Sequence, residues 1–219
     1  MGLYIAGVKV DDPMTIWQGY GRSYRRTIRE YDLGGRGDPH HLTADEAWRT
    51  RIIHSRLTRS ECEELVARAA QPRCPWRDVP DDADLSGADP VARDAVFDKA
   101  TSLYWHFTRP KRIHGIRVAK VHKILHIKRP ALYPILDDKV RDLYRDNAKP
   151  WVDELGRLEV TIEDSPPYWA AIRHDLVRNK APLDEYRRDL ATDADETVRL
   201  MAQLTDLRLQ DIVAWQVAG

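Results

Sequence analysis

The sequence predicts a mainly α-helical protein with a small β element near its N-terminus. Two capping boxes, at Thr43–Glu46 and Ser60–Glu63, open runs of helical spacing, and the run LRLQDIVAW near the C-terminus has the pattern of a buried helix. The run LYIAGVKV has instead the composition of a strand. We expect a single domain over residues 1–219, with a small β or extended segment at 1–40 and a helical body at 41–219.

Composition bounds the possible functions. The 35 basic and 35 acidic residues cancel, but a neutral total does not exclude nucleic acid, because phosphate contacts depend on the local patch. Two Cys residues indicate a reducing compartment without a disulfide framework, and they cannot supply the four thiolates of an iron–sulfur cluster. With neither a signal peptide nor a membrane-length apolar run, we expect a soluble, cytoplasmic, monomeric protein that needs no cofactor or metal.

The N-terminal 40 residues are expected to be extended. The strand at LYIAGVKV ends at Asp11-Asp12-Pro13. The following run, TIWQGYGRSYRRTIREYD, is rich in aromatic and β-branched residues, and Gly19 and Gly21 weaken a helical interpretation. The segment therefore predicts two or three short strands in all, followed by a GGRGDP loop at 34–39.

Helices dominate the remainder. The two capping boxes predict helices to about Ser55 and Ala70, and the 20-residue loop at 71–90 is long enough to be functional or mobile. Asp89-Pro90 predicts the start of a helix that runs through Phe107. After the central stretch we expect a strand at LEVTI, a helix from Ser165-Pro166, and further helices at 183–190, 194–204 and 206–217.

A basic stretch lies at the centre of the chain. Between Lys99 and Leu136 there is no Asp or Glu, but there are nine Lys or Arg and four of the eight His. The stretch ends in Asp137 and Asp138. A positive surface beside isolated carboxylates suits a protein that grips a polyanion and places an acid at a reacting centre. A solvated basic face and two helix-capping acids are the alternative interpretation.

A helical hairpin is predicted at residues 114–140. Apolar residues of helical spacing run from Arg117 to Ile127, Pro130 breaks that helix, and spacing resumes after Pro134. The runs HGIRVA at 114–119, RPALYP at 129–134 and LDDKV at 136–140 together resemble the helix-hairpin-helix DNA glycosylases. Members of that superfamily carry L-P-G-V-G-x-K-T-A, then R-P-x-x-x-P, then V-D-x-H-V.

The resemblance implies an enzyme that flips a nucleotide out of double-stranded DNA and excises its base. Asp137 falls on the catalytic aspartate, which stabilises the positive charge that develops on the sugar and activates water. Asp138 competes for that role, since one residue of slack in the hairpin would exchange the two.

Three departures from the motif favour a monofunctional glycosylase over a glycosylase/lyase. Arg117 replaces the second hairpin glycine, and Lys139 replaces the histidine that follows the aspartate. The nucleophilic lysine of bifunctional members falls on Ala119, with Lys120 one residue away.

The resemblance and the surrounding sequence assign further roles. The residues expected to contact DNA are Arg112, His114, Gly115, Arg117, Lys120, Lys123 and Lys139. A flipped base needs aromatic side chains on which to stack. Those expected to form the base pocket are Tyr24, Tyr31, Trp76, Tyr104 and Trp105, with Tyr20 a further candidate.

Other patterns carry less functional information. The chain also resembles a poorly described bacterial family with L-T-x-D-x-A near the start and L-x-x-L-R-x-x-D-I-V-x-W at the end, here LTADEAW and LTDLRLQDIVAW. That resemblance supports one domain but supplies no activity. Arg208 and Asp211 are three residues apart, which predicts an intrahelical ion pair. Trp105, Trp169 and Trp215 are expected to fill the core, because large aromatic side chains dominate protein cores.

The excised base is not encoded in a recognisable motif. Because the Arg- and Tyr-rich N-terminal segment suits a bulky hydrophilic adduct, one hypothesis is a phage-defence enzyme that removes glucosylated hydroxymethylcytosine. Two alternatives to an enzyme stay open. One is a helix-hairpin-helix module that binds DNA without chemistry, and the other is a helical scaffold whose basic face binds another polyanion.

Overall fold

The computed structural model describes residues 2–109, 115–116 and 118–219. A β-hairpin opens the chain: β1 (Leu3–Ile5) pairs antiparallel with β2 (Val8–Val10), with Leu3 opposite Val10. Ala6 and Gly7 both have positive φ, as a tight two-residue hairpin turn requires. The remainder is dominated by helices, so the prediction of a mainly α fold with a small N-terminal β element is confirmed.

Ten α-helices follow the hairpin within the described part of the chain. They are α1 (Pro13–Ser23), α2 (Ala44–Arg49), α3 (Arg59–Ala69), α4 (Val96–Thr108), α5 (Val118–Lys128), α6 (Asp138–Glu154), α7 (Pro166–Arg178), α8 (Lys180–Ala191), α9 (Glu196–Met201) and α10 (Asp206–Val217). A π-helical turn covers Thr27–Asp32, and 3-10 turns cover Thr50–Ile53, Trp76–Asp78 and Gly156–Leu158.

The segment that follows the hairpin is helical, so the prediction of further strands there was wrong. Asp12 caps α1 by accepting a hydrogen bond from the Thr15 amide, and Pro13 occupies the first turn, where its missing N–H costs nothing. A Cβ added to Gly21 would lie only 2.8 Å from Val198 Cγ2. The glycine therefore permits close packing of α1 on α9, an effect that strand propensity does not capture.

Several predicted boundaries also move. Thr58, not Ser60, caps α3, with Glu61 completing the box. Helix α4 begins at Val96 rather than at Pro90. No strand forms at LEVTI, because Glu159 adopts a left-handed conformation (φ +52°) after the 3-10 turn. The last helix, α10, spans the residues that its apolar spacing predicts.

Among the described residues of the central basic stretch, its last two cations are internal, so they do not contribute to the positive surface that the sequence predicts. Lys128 is fully buried and donates to Glu46 Oε1 at 2.5 Å. Arg129 is also buried, contacts Asp81 at 2.6 Å and donates to the Val79 and Pro80 carbonyls. These two cations tie the long loop at 71–90 and the loop before α2 to the end of α5.

Two histidines of the same stretch lie in the core and carry no charge at neutral pH. Burial lowers the pKa of His122 to about 4 and that of His126 to about 3. His122 Nε2 lies 2.9 Å from the indole Nε1 of Trp169, which donates to it. At these two positions, the buried side of α5 therefore carries no charge.

None of the helices in the described residues is both long and apolar enough to cross a membrane. Among the same residues, no three His, Cys, Asp or Glu side chains are grouped in a way that could hold a metal ion.

Candidate active site

A pocket of about 150 Å³ lies where α1 and α10, from the two ends of the chain, meet the helical hairpin of α5 and α6. It is formed by α1, the turn after α2, α5, the loop before α6, and α10. Its lining residues are Tyr20, Tyr24, Thr27, Ile52, Ile53, His54, Lys123, Ile135, Asp137, Arg208, Asp211, Ile212 and Trp215. An engineered protein cavity of about 150 Å³ takes up benzene, so this volume suits one six-membered ring.

Three aromatic side chains form one wall of the pocket. The rings of Tyr20 and Tyr24 stack with centroids 4.6 Å apart and planes 28° apart. Trp215 from α10 meets Tyr24 edge-on, with centroids 5.9 Å apart. The Lys139 ammonium lies 5.9 Å from the centroid of Trp215. The wall thus offers flat apolar faces against which a planar ring can pack.

Asp137 lines this pocket as the N-cap of α6. Its backbone is extended (φ −100°, ψ 179°), and its Oδ1 accepts a hydrogen bond from the Val140 amide at 3.0 Å. The capping bond fixes the carboxylate at the helix N-terminus, where the helix dipole favours negative charge. Asp138 is exposed in the first turn of α6 and does not line the pocket. The structure thus separates the two acids that the sequence left in competition.

Lys123 brings an amine to the same pocket. It lies one turn after Ala119 on α5, so the two residues share a helix face. Its Nζ donates to the Ile53 carbonyl at 2.8 Å, and burial lowers the pKa of the ammonium, against the opposing charge of Asp137. Through this hydrogen bond, Lys123 connects the turn after α2 to α5.

That turn holds a strained residue. His54 adopts a left-handed conformation (φ +59°, ψ +26°) as it ends the 3-10 turn and contributes to the pocket lining. Non-glycine residues in this region cost about 1 kcal/mol or more and cluster at functional sites. Asn is among the few residues that tolerate it well.

Arg208 closes the inner end of the pocket with a buried ion pair. Its Nε lies 2.8 Å from Asp32 Oδ1, and its Nη2 donates to the Tyr20 hydroxyl at 2.9 Å. Burial alone would lower the pKa of Arg208, but Asp32 and Tyr20 outweigh it and the pKa is raised. The predicted intrahelical pair with Asp211 was wrong, because the guanidinium turns towards the π-helical turn instead.

Asp211 is the second carboxyl group of the pocket. It is only 3% exposed, and its Oδ2 accepts a hydrogen bond from the Ile135 amide at 2.9 Å. Burial raises its pKa to about 7, although the Ile135 amide and Arg208 act to lower it, and the negative charge of Asp137 adds to the rise. Two acids in different environments therefore face one cavity.

The residues expected to contact DNA have diverse surroundings. Arg112, His114 and Arg117 lie outside the described residues. Gly115 has φ +101°, and an added Cβ would lie 2.1 Å from Glu61 Oε1, so this glycine approaches a carboxylate of the protein. Lys120 donates to the same oxygen at 2.6 Å. Lys123 lines the pocket, and Lys139 is exposed beside Trp215.

The structure does not bring the five aromatic residues of the expected base pocket together: of these five, only Tyr24 lines the cavity with Asp137. Tyr31 is buried under α5, where its hydroxyl donates to the Lys123 carbonyl. Trp76 is buried and donates to Ala69, and Tyr104 is buried and accepts from Ser165. Trp105 packs against the Arg109 guanidinium, which lies 3.2 Å from the ring centroid.

Sequence reasoning missed what α10 brings to the site. The sequence predicts that Arg208 and Asp211 pair with each other and that Trp215 lies in the core. Trp215 does pack against the core, but all three residues also line the pocket. A signal was available: the run LRLQDIVAW places Arg208, Gln210 and Asp211 within a helix that is otherwise buried. Buried charged residues need partners from elsewhere in the fold.

Fold and site define a mainly helical protein with an aromatic pocket that two carboxyl groups and a buried arginine enclose. The chain belongs to the family described as "Family of unknown function (DUF6308)", whose model matches residues 26–218. The match includes α2 to α10 and most of the pocket, whereas Tyr20 and Tyr24 precede it. No curated protein and no solved structure matches the chain significantly.

Proposed function

We propose that the protein is a monofunctional DNA glycosylase that flips a modified base into this pocket and excises it, leaving an abasic site. The observation that carries the proposal is the position of Asp137: a carboxylate fixed at a helix N-terminus, in a pocket with aromatic walls. Cleavage of an N-glycosidic bond develops positive charge on the sugar, and a fixed carboxylate stabilises that charge without having to reorganise.

The shape of the pocket supports a flipped pyrimidine as its occupant. A volume of about 150 Å³ accommodates one six-membered ring, and the stacked Tyr20–Tyr24 pair with Trp215 offers faces for stacking. Base–aromatic stacking contributes about 1–3 kcal/mol per base and tolerates different bases. A bulky adduct on the ring would then project from the pocket. Modified cytosine in phage DNA, including its glucosylated hydroxymethyl form, is the substrate class that we favour.

The proposed activity is tested by incubating the protein with phage DNA that carries glucosylated hydroxymethylcytosine and with the same DNA unmodified. We expect abasic sites, scored by cleavage at them in alkali, in the modified DNA alone. Equal release from the two DNAs would reject the substrate class, and no release from either would reject the enzyme. Salt-dependent DNA binding without base release would point to a non-enzymatic DNA-binding module.

One observation favours a glycosylase/lyase as a second candidate. Lys123 places an amine of lowered pKa in the pocket, one helical turn after the position that bifunctional members of the resembled superfamily use. We rank it second because the amine is committed to the Ile53 carbonyl. Borohydride reduction during turnover distinguishes the two: a covalent protein–DNA adduct that Lys123→Gln abolishes would establish the lyase.

Replacing Tyr24 with Ala is expected to weaken binding of the modified duplex by roughly 5- to 100-fold, since one stacking face is lost. The measurement is a titration of labelled modified duplex at fixed salt. Trp105→Ala is the matched control, because that indole packs on Arg109 and does not line the pocket. A larger effect of Trp105→Ala than of Tyr24→Ala would move the base-binding site away from this cavity.

A further inference from the structure

The pocket holds a second carboxyl group that the proposed role of Asp137 leaves unexplained. Asp211 projects from α10 into the cavity, yet its side chain is nearly buried and, among the residues that the structure describes, receives a single hydrogen bond, from the Ile135 amide. Ile135 lies two residues before Asp137. The short loop before α6 therefore carries Asp137 and also holds Asp211 through the Ile135 amide, and both acids line the same pocket. A buried carboxyl group without a cationic partner becomes neutral rather than remain charged.

The cations around Asp211 are committed elsewhere. Arg208, three residues earlier on α10, pairs with Asp32 from the π-helical turn and with Tyr20 from α1. Lys123 on α5 donates to the Ile53 carbonyl. Within the described part of the chain, no ion pair reaches Asp211. The other charged or titratable groups that line the cavity are Asp137, the exposed His54, and the tyrosines Tyr20 and Tyr24.

We propose that Asp211 is the acid of the site, and that its neutral carboxyl group donates a proton to the departing base while ionised Asp137 faces the sugar. This role rests on the proposed glycosylase function and deepens it. Burial and Asp137 both raise the pKa of Asp211, to about 7, which keeps the group protonated below neutrality. Two carboxyl groups in different environments, one buried and one at a helix N-terminus, are the usual basis for one acid and one base in a glycosidic site.

The proposed step balances without any further reagent. The bond between C1′ and the base nitrogen breaks, and its electron pair goes to the base. Asp211 transfers its proton to a ring nitrogen or carbonyl oxygen of the base, which leaves as the neutral species. Water adds its oxygen to C1′ and gives its proton to Asp137. The two carboxyl groups then regain their starting protonation by exchange with solvent.

The proposal predicts how base release depends on pH. The single-turnover rate on modified duplex is expected to be level below about pH 7 and to fall about tenfold per pH unit above it, as Asp211 loses its proton. Asp211→Asn keeps the shape of the side chain but cannot transfer the proton. We expect it to slow release by about 100-fold or more at pH 6 and to remove the decline above pH 7.

His54 is the matched control for this profile, because it is another ionisable side chain that lines the cavity. His54→Asn preserves a residue that accepts the left-handed conformation. Its release rate is expected to decline above pH 7 as in the wild type. A decline that disappears in His54→Asn and persists in Asp211→Asn would overturn the role of Asp211.

A second measurement does not depend on activity. The ordinary pKa of an aspartate is 3.8, so above that pH the unfolded chain has lost a proton that folded Asp211 retains to about pH 7. The unfolding equilibrium constant of the wild type should therefore rise up to tenfold per pH unit across this window, relative to Asp211→Asn. Urea unfolding of both proteins between pH 4 and pH 8 tests this.

The two measurements separate the inference from the function on which it rests. An unchanged pH–rate profile in Asp211→Asn would overturn the proton donor and leave the glycosylase intact. A constant difference in stability between the two proteins across the pH range would show Asp211 to be ionised and overturn the inference. If the wild type releases no base from any DNA, the glycosylase function and the catalytic role of Asp211 both fall.

Discussion

Asp137→Asn is expected to slow base release by about 100-fold or more while leaving the fold and the affinity for DNA almost unchanged. Asn is as good an N-cap as Asp, so α6 keeps its first hydrogen bond. What the variant loses is the negative charge beside the sugar and the acceptor for the proton of water. Single-turnover release on modified duplex measures the loss, and a binding titration at fixed salt measures the affinity.

Asp138→Asn is the matched control. It is the next residue, it makes the same chemical change, and its side chain is exposed outside the pocket. We expect its release rate to lie within about threefold of the wild type, since surface substitutions have small effects. If Asp138→Asn loses activity and Asp137→Asn retains it, the assignment moves by one residue and the pocket is not the active site.

Arg208→Met is expected to lower the free energy of unfolding by about 3–5 kcal/mol. The substitution leaves Asp32 without its cation, although the two side chains are only 7% and 1% exposed in the wild type. A shift of 1 kcal/mol corresponds to about 2–4 °C for a chain of this size, so Tm should fall by roughly 6–20 °C. Thermal unfolding followed by circular dichroism provides the measurement.

The double variant Asp32→Asn/Arg208→Met tests whether the orphaned charge is the cause. Removing both charges eliminates the unpaired buried carboxylate, so stability is expected to recover by 1 kcal/mol or more relative to Arg208→Met. Losses that simply add would indicate that Arg208 acts through packing and through its bond to the Tyr20 hydroxyl.

The sequence predicts those helices whose position is set by residues close together in the chain. Capping boxes, proline positions and apolar spacing place α2, α7 and α10 closely, because a cap or a stripe acts within one or two turns. The prediction of strands after the β-hairpin was wrong because that segment packs as helix α1, with Trp17 and Tyr20 against α10 and Gly21 against α9. That is a contact between distant segments, and residue propensity does not contain it.

The same distinction, between local patterns and contacts between distant segments, explains which residues of the candidate site the sequence predicts. The motif around Asp137 indicates an acid at a helix start, which is a local property. Charge density alone predicts that Lys128 and Arg129 lie on the surface, yet their partners, Glu46 in α2 and Asp81 in the loop at 71–90, are distant in the sequence and hold them inside. The sequence likewise predicts that Asp211 pairs with Arg208 on the same helix. The observed partner of Arg208 is Asp32, which lies near the other end of the sequence.

The pocket is assembled from distant parts of the sequence: Tyr20 and Tyr24 precede α2, Asp137 lies just before α6, and Asp211 and Trp215 lie on α10. A nascent polypeptide still on the ribosome cannot assemble this cavity until residues 206–217 have emerged and docked. Any chemistry performed there is therefore withheld from incomplete products of translation, and a chain truncated before α10 lacks Arg208, Asp211 and Trp215 of the pocket lining.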